Sequence, residues 1–96
     1  MITVEFNKPF TFEGDTFNEI NIVDDDFSSE DLDRVIARYR REYGTKAYDN
    51  YSADNRFWYI FAEKLTDKTQ DFFKKLPARE FGRIKGELAL FIVSTD

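Results

Sequence analysis

The sequence predicts an α+β fold: an N-terminal β-hairpin followed by about four α-helices in one small domain, residues 1–96. Three observations carry that expectation. Apolar and polar residues alternate through residues 2–23, the period of a half-buried strand. From Phe27 onward the apolar spacing changes to threes and fours, the period of an amphipathic helix. Helix-start signals then recur at Ser28, at Ser52 or Asp54, at Thr66-Asp67 and at Pro77.

Residues 1–23 form the expected hairpin. Ile2, Val4 and Phe6 alternate with Thr3 and Glu5, and Phe10 and Phe12 resume the pattern after Asn7-Lys8-Pro9. Pro9 has no N–H for a ladder, so it demands an edge position or a bulge. Glu13-Gly14-Asp15 is the turn, with Gly14 suited to positive φ. The apolar parity switches between Phe17 and Ile20, which predicts a bulge or slip near Asn18.

The first helix is expected over residues 28–43. Ser28 as N-cap sets Asp31 at the third helical position, a capping box with Asp in place of Glu. The same register pairs Phe27 with Leu32 as a hydrophobic staple. Leu32, Val35, Ile36, Tyr39 and Tyr43 make the apolar stripe, and Gly44 suits the C-cap. Residues 45–51 read as a loop. A second helix over 53–65 carries Phe57, Trp58, Ile60, Phe61 and Leu65 on more than one face, so it should be the most buried. A short helix over 67–76 bears Phe72, Phe73 and Leu76. Pro77, whose fixed φ suits a first turn, opens the last helix over 77–92. Its stripe is Phe81, Ile84, Leu88, Phe91 and Ile92.

Composition excludes several functions. The 96 residues contain no Cys and no His, so a disulfide framework, a thiolate zinc site and the usual neutral-pH general base are all missing. The four glycines are isolated, which leaves no phosphate-cradling loop. No apolar run approaches the ~20 residues of a bilayer span, and the N-terminal residues lack the pattern of a signal peptide. Cytoplasmic residence, without membrane contact, is the expectation. A formal charge of −5 disfavours the phosphate backbone of a nucleic acid. No cofactor, metal or catalytic residue is expected, and enzyme activity is not.

Two charged clusters remain. Asp24, Asp25, Asp26, Glu30, Asp31 and Asp33 are dense enough to suggest Mg²⁺ or Ca²⁺, but EF-hand spacing is absent and acids suit a helix N-terminus. Arg34, Arg38 and Arg41 line one side of the first helix. Glu30 lies four before Arg34, and Arg38 four before Glu42, so the stripe is expected to be partly paired. As a binding surface it suits an acidic protein better than DNA. Eleven Phe, five Tyr and one Trp either build a core of rings or leave some on a contact patch.

In this order the pieces resemble the tail assembly chaperones of long-tailed bacteriophages and prophages. The likeness runs over residues 1–92: a strand with Asn7-Lys8-Pro9-Phe10, a turn with Glu13-Gly14-Asp15, and a strand Phe17-Asn18-Glu19-Ile20-Asn21-Ile22. Then come the capped start Ser28-Ser29-Glu30-Asp31-Leu32, and Leu76-Pro77-Ala78-Arg79-Glu80-Phe81 leading an apolar helix through Phe91. Phe57, Trp58, Tyr59 and Phe61 depart from it, standing where more aliphatic helices would be expected.

The resemblance implies a non-enzymatic protein of the host cytoplasm, not retained in the mature virion. Such proteins coat the aggregation-prone tape-measure protein until tube subunits polymerise around it. It also implies, in relatives with a programmed frameshift, a longer form that recruits tail-tube protein; self-association into a homo-oligomer is expected as a way to hide an apolar surface before the client arrives. A protein-binding face is then expected from Phe81, Ile84, Leu88 and Phe91, joined by Arg34, Arg38 and Arg41. The same four apolar residues would equally serve as core. A small acidic inhibitor that mimics nucleic acid and captures a basic host protein is the alternative, and a carboxylate-based metal enzyme a distant third.

Overall fold

In the computed structural model, which describes residues 1–23 and 25–93 (without the side chains of Ile92 and Val93), the hairpin comes first. Strands β1 (Ile2–Phe12) and β2 (Asp15–Ile22) pair antiparallel. Glu13 and Gly14 both take positive φ, 52° and 87°. Two left-handed residues between paired strands match the right-handed twist of the ribbon, so the turn is tight.

The ladder is broken once. Ile2 to Glu5 pair with Ile22 to Glu19, and Phe10 to Phe12 pair with Phe17 to Asp15. Residues 6–9 therefore stand opposite Asn18 alone. The excess on β1 is an odd number of residues, so it reverses parity on β2 relative to β1. Val4 can then face Ile20 while Phe10 faces Phe17. The irregularity expected near Asn18 is thus carried by the opposite strand, at Pro9, where no N–H is lost from the ladder.

Four α-helices follow among the described residues: α1 (Ser29–Tyr43), α2 (Asn55–Leu65), α3 (Gln70–Lys75) and α4 (Ala78–Val93). The capping box at α1 forms as the sequence indicates. Ser28 N donates to Asp31 Oδ2 at 3.0 Å, and Asp31 N donates to Ser28 Oγ at 3.1 Å. That bond from the Ser28 backbone holds the Asp31 carboxyl below its ordinary value. Phe27 stacks on Phe61 of α2, ring centroids 5.2 Å apart. The loop after α1 is more ordered than expected: it holds two single-turn 3₁₀ helices, Gly44–Lys46 and Tyr51–Ala53.

Of the two possible caps for the second helix, Asp54 takes the role and Ser52 does not. The third helix is shorter than expected. It begins at Gln70, not at Asp67, because Thr66 closes α2 by donating to Ala62 O while Thr69 caps α3 through Phe72 N. Pro77 accepts from both Glu80 N and Phe81 N, so its carbonyl starts α4.

Helix α2 is the centre of the fold and packs on α1, α3 and α4. Phe57, Ile60, Phe61 and Ala62 are all at most 1% exposed. Rings do much of the packing. Phe72 of α3 meets Phe10, Phe12 and Phe17 of the hairpin edge-on, with centroids 5.1 to 5.3 Å apart. Such contacts add to what area burial alone provides. A hairpin is marginal alone; this clasp of one ring by three fixes it to the helices together with the burial of Val4, Ile20 and Ile22 and the bond from Val23 N to Leu65 O. All but one of the aromatic side chains are buried or packed against the core; Tyr48, 55% exposed, is the exception.

Candidate functional site

The last helix was expected to present or bury its stripe. It buries most of it. Ile84 and Leu88 are 0% exposed and Phe81 is 5% exposed. Tyr59 of α2 and Phe73 of α3 close over Phe81, at 4.9 and 5.8 Å between centroids. Phe91 is half-buried at the core margin, and its neighbour Leu90 is 51% exposed. Ile92 belongs to the stripe but its side chain lies outside the described residues. The first three stripe residues are core, and among the described side chains of that helix's far half Ala89, Leu90 and Phe91 leave apolar surface accessible.

The start of α4 meets the broken ladder. Glu80 is 6% exposed, and its Oε2 accepts from Asn7 N of the bulge at 2.5 Å while Oε1 accepts from Arg83 at 2.9 Å. A bulge orphans backbone donors, and a buried one must find an acceptor. Glu80 supplies it from a point far along the chain. Asn7, Lys8, Pro9 and Phe10 with Pro77, Arg79 and Glu80 border an open groove of about 500 Å³. The Lys-Pro and Leu-Pro segments, remote in sequence, thus assemble into one unit.

The basic stripe of α1 lies over a second groove. Arg34, Arg38 and Arg41 line it with Lys64 of α2, and Val35, Ala37 and Ile60 form its floor; its volume is about 360 Å³. Arg34 reaches Asp31 at 2.8 Å and Glu30 at 3.7 Å. Arg38 binds Glu42 at 2.5 Å and crosses to Glu63 of α2 at 2.6 Å. Burial raises the Glu42 carboxyl, but the bonds from Arg38 and Gln70 outweigh it and hold it below its ordinary value. Arg41 and Lys64 form no ion pair with a described residue. Both expected pairs, Glu30–Arg34 and Arg38–Glu42, therefore form, and the stripe is partly paired as the spacing indicates. Lys64 carried no sequence signal for this site, because only the packing of α2 on α1 brings it there.

The buried carboxylate Asp54 forms a third cluster that the sequence did not single out. Tyr39 of α1, 0% exposed, donates to Asp54 Oδ2 at 2.6 Å and accepts from Tyr48 N at 2.7 Å. Arg56 closes on both carboxylate oxygens and donates to Lys46 O at 2.6 Å. Its guanidinium lies 4.6 Å from the Tyr43 ring centre. Burial pushes the Asp54 carboxyl up, yet the bonds from Arg56 and Tyr39 prevail and hold it at about 2. Burial and the adjacent carboxylate raise the Tyr39 phenol. Every oxygen of this cluster is occupied by a partner within the fold, which makes it a clamp on residues 44–54.

The acidic cluster is dispersed. Asp31 is engaged by Ser28 and Arg34, Glu30 by Arg34, and Asp24 lies outside the described residues. Among the described residues no group of three acids could hold a metal ion, and no helix is long and apolar enough to cross a membrane. Compared with known proteins, the chain matches no protein-family model, no curated protein and no solved structure.

Proposed function

We propose that this chain is a non-enzymatic binding protein of phage tail morphogenesis, a tail assembly chaperone that keeps a tape-measure protein soluble before the tube forms. The observation that carries the reading is the Asn7–Glu80 bond. It joins the Lys-Pro strand and the Leu-Pro helix, two parts of the layout on which the resemblance rests, into one structural unit. The client is held outside the core: Phe91 and Leu90 on α4, and the α1–α2 groove, are the surfaces on offer. Self-association and recruitment of tail-tube protein by a longer form belong to the same proposal, as does residence in the host cytoplasm.

Co-purification from cells that express the neighbouring genes tests this. The expected catch is one very long, helix-rich protein. Capture of a basic nucleic-acid-binding protein instead would replace this reading with the acidic inhibitor.

A further inference from the structure

We infer that the groove between α1 and α2 is a docking site for an acidic amphipathic helix, with Arg41 and Lys64 as its charge contacts. The chain as a whole carries −5, yet this groove is lined by four cations and no acid. Two of the cations are already spoken for: Arg34 by Glu30 and Asp31, Arg38 by Glu42 and Glu63. Arg41 and Lys64 form no close ion pair with a described residue, and Glu42 and Asp31 act on them from a distance; they stand on different helices along the groove. Partner carboxylates spaced along the groove would give each of these cations a close counter-charge.

The floor selects the class of partner. Val35 and Ile60 present only edges, at 4% and 1% exposure, beside the exposed Ala37. Those edges and the aliphatic stems of the arginines make a shallow apolar trough. An amphipathic helix can lay a row of Leu or Ala along it while its flanking Glu or Asp residues reach the cations. A nucleic-acid strand fits poorly. Among the described residues no aromatic ring lines the trough for base stacking. An anionic membrane is a poor match as well, because the cations sit around a concavity between two helices.

The test uses a fluorescent synthetic helix of about 20 residues, Ala-rich to hold helicity, with Leu on one face and a few Glu residues flanking it. Controls are the Lys counterpart with the same Leu spacing, a single-stranded oligonucleotide and vesicles containing phosphatidylserine. The full chain should bind the Glu helix in preference to all three, and more weakly as salt screens the charges. The double variant Arg41→Glu/Lys64→Glu should weaken binding about tenfold or more. Ala37→Glu should also weaken it; Ala37 is exposed on a helix, and the new carboxylate lies four residues before Arg41, so the fold tolerates it. Equal binding by the parent and both folded variants would overturn the site. So would no binding of the Glu helix, or stronger binding of the oligonucleotide or vesicles. The inference does not rest on the tape-measure reading: peptide binding without a tape-measure partner would remove that reading and leave the groove.

Discussion

Replacing Tyr39 with Phe removes one oxygen from the centre of the clamp and leaves the ring. The hydroxyl is 2.6 Å from Asp54 Oδ2 and 2.7 Å from Tyr48 N. A hydrogen bond to a buried charge is worth about 1.5–3 kcal/mol, and Asp54 is only 7% exposed, so water cannot fully replace the lost donor. The Tyr48 N–H adds little, because Tyr48 is 55% exposed and its amide can turn to solvent. The total is about 2–3 kcal/mol. In a domain this small that lowers Tm by roughly 10–20 °C. Urea unfolding followed by tryptophan fluorescence reads it well, since Trp58 donates to Ser52 O at 2.9 Å within the clamped segment. A double-mutant cycle with Asp54→Asn should give a coupling of about 1–3 kcal/mol. A Tyr39→Phe protein within about 0.5 kcal/mol of the parent, or a coupling near zero, would refute the clamp.

Acid should loosen the same clamp. The Asp54 carboxyl falls from 3.8 unfolded to about 2 folded, so its contribution is complete above pH 3.8 and is lost as pH falls through 2. At about 1.4 kcal/mol per pKa unit the loss is about 2 kcal/mol, and Asp54→Asn should remove that component from a pH series of urea midpoints. Glu80→Gln should leave Asn7 N with a weaker, neutral acceptor and cost about 1–2 kcal/mol; amide exchange at Asn7 should rise more than exchange at Val4. Leu88→Ala should cost about 2–5 kcal/mol in thermal unfolding, as expected for a fully buried leucine. Phe91→Ala should cost less and weaken client capture; a large loss of Tm with client binding intact would assign Phe91 to the core alone.

Local interactions made much of this fold legible. The capping box depends on four consecutive residues, Ser28 to Asp31, and the hairpin turn on two, so both can be read without knowing the rest. The parity switch after Phe17 and the missing N–H of Pro9 were both legible, and they are one irregularity: the extra residues lie on β1 at 6–9, opposite Asn18. The early start expected for the third helix has a different cause. Thr66 and Thr69 are both capping residues, and Thr66 is taken up by the end of α2 through its bond to Ala62 O, which leaves Thr69 to cap α3. Spacing could place Phe81, Ile84 and Leu88 on one face but could not say what lay against it. The answer comes from Tyr59 and Phe73 on two other helices. Tyr39, Asp54 and Arg56 are likewise brought together by α1 packing on α2, so Tyr39 reads as an ordinary stripe residue until its hydroxyl is placed.

The proposed role requires the chain to hold a long helical client in solution through surfaces outside its core. Co-expression with the tape-measure protein, followed by sedimentation of the lysate, addresses it directly. The expected result is a client that stays in the supernatant with the parent chain and moves to the pellet when the chain is omitted. A client that pellets equally with and without the chain would contradict that role.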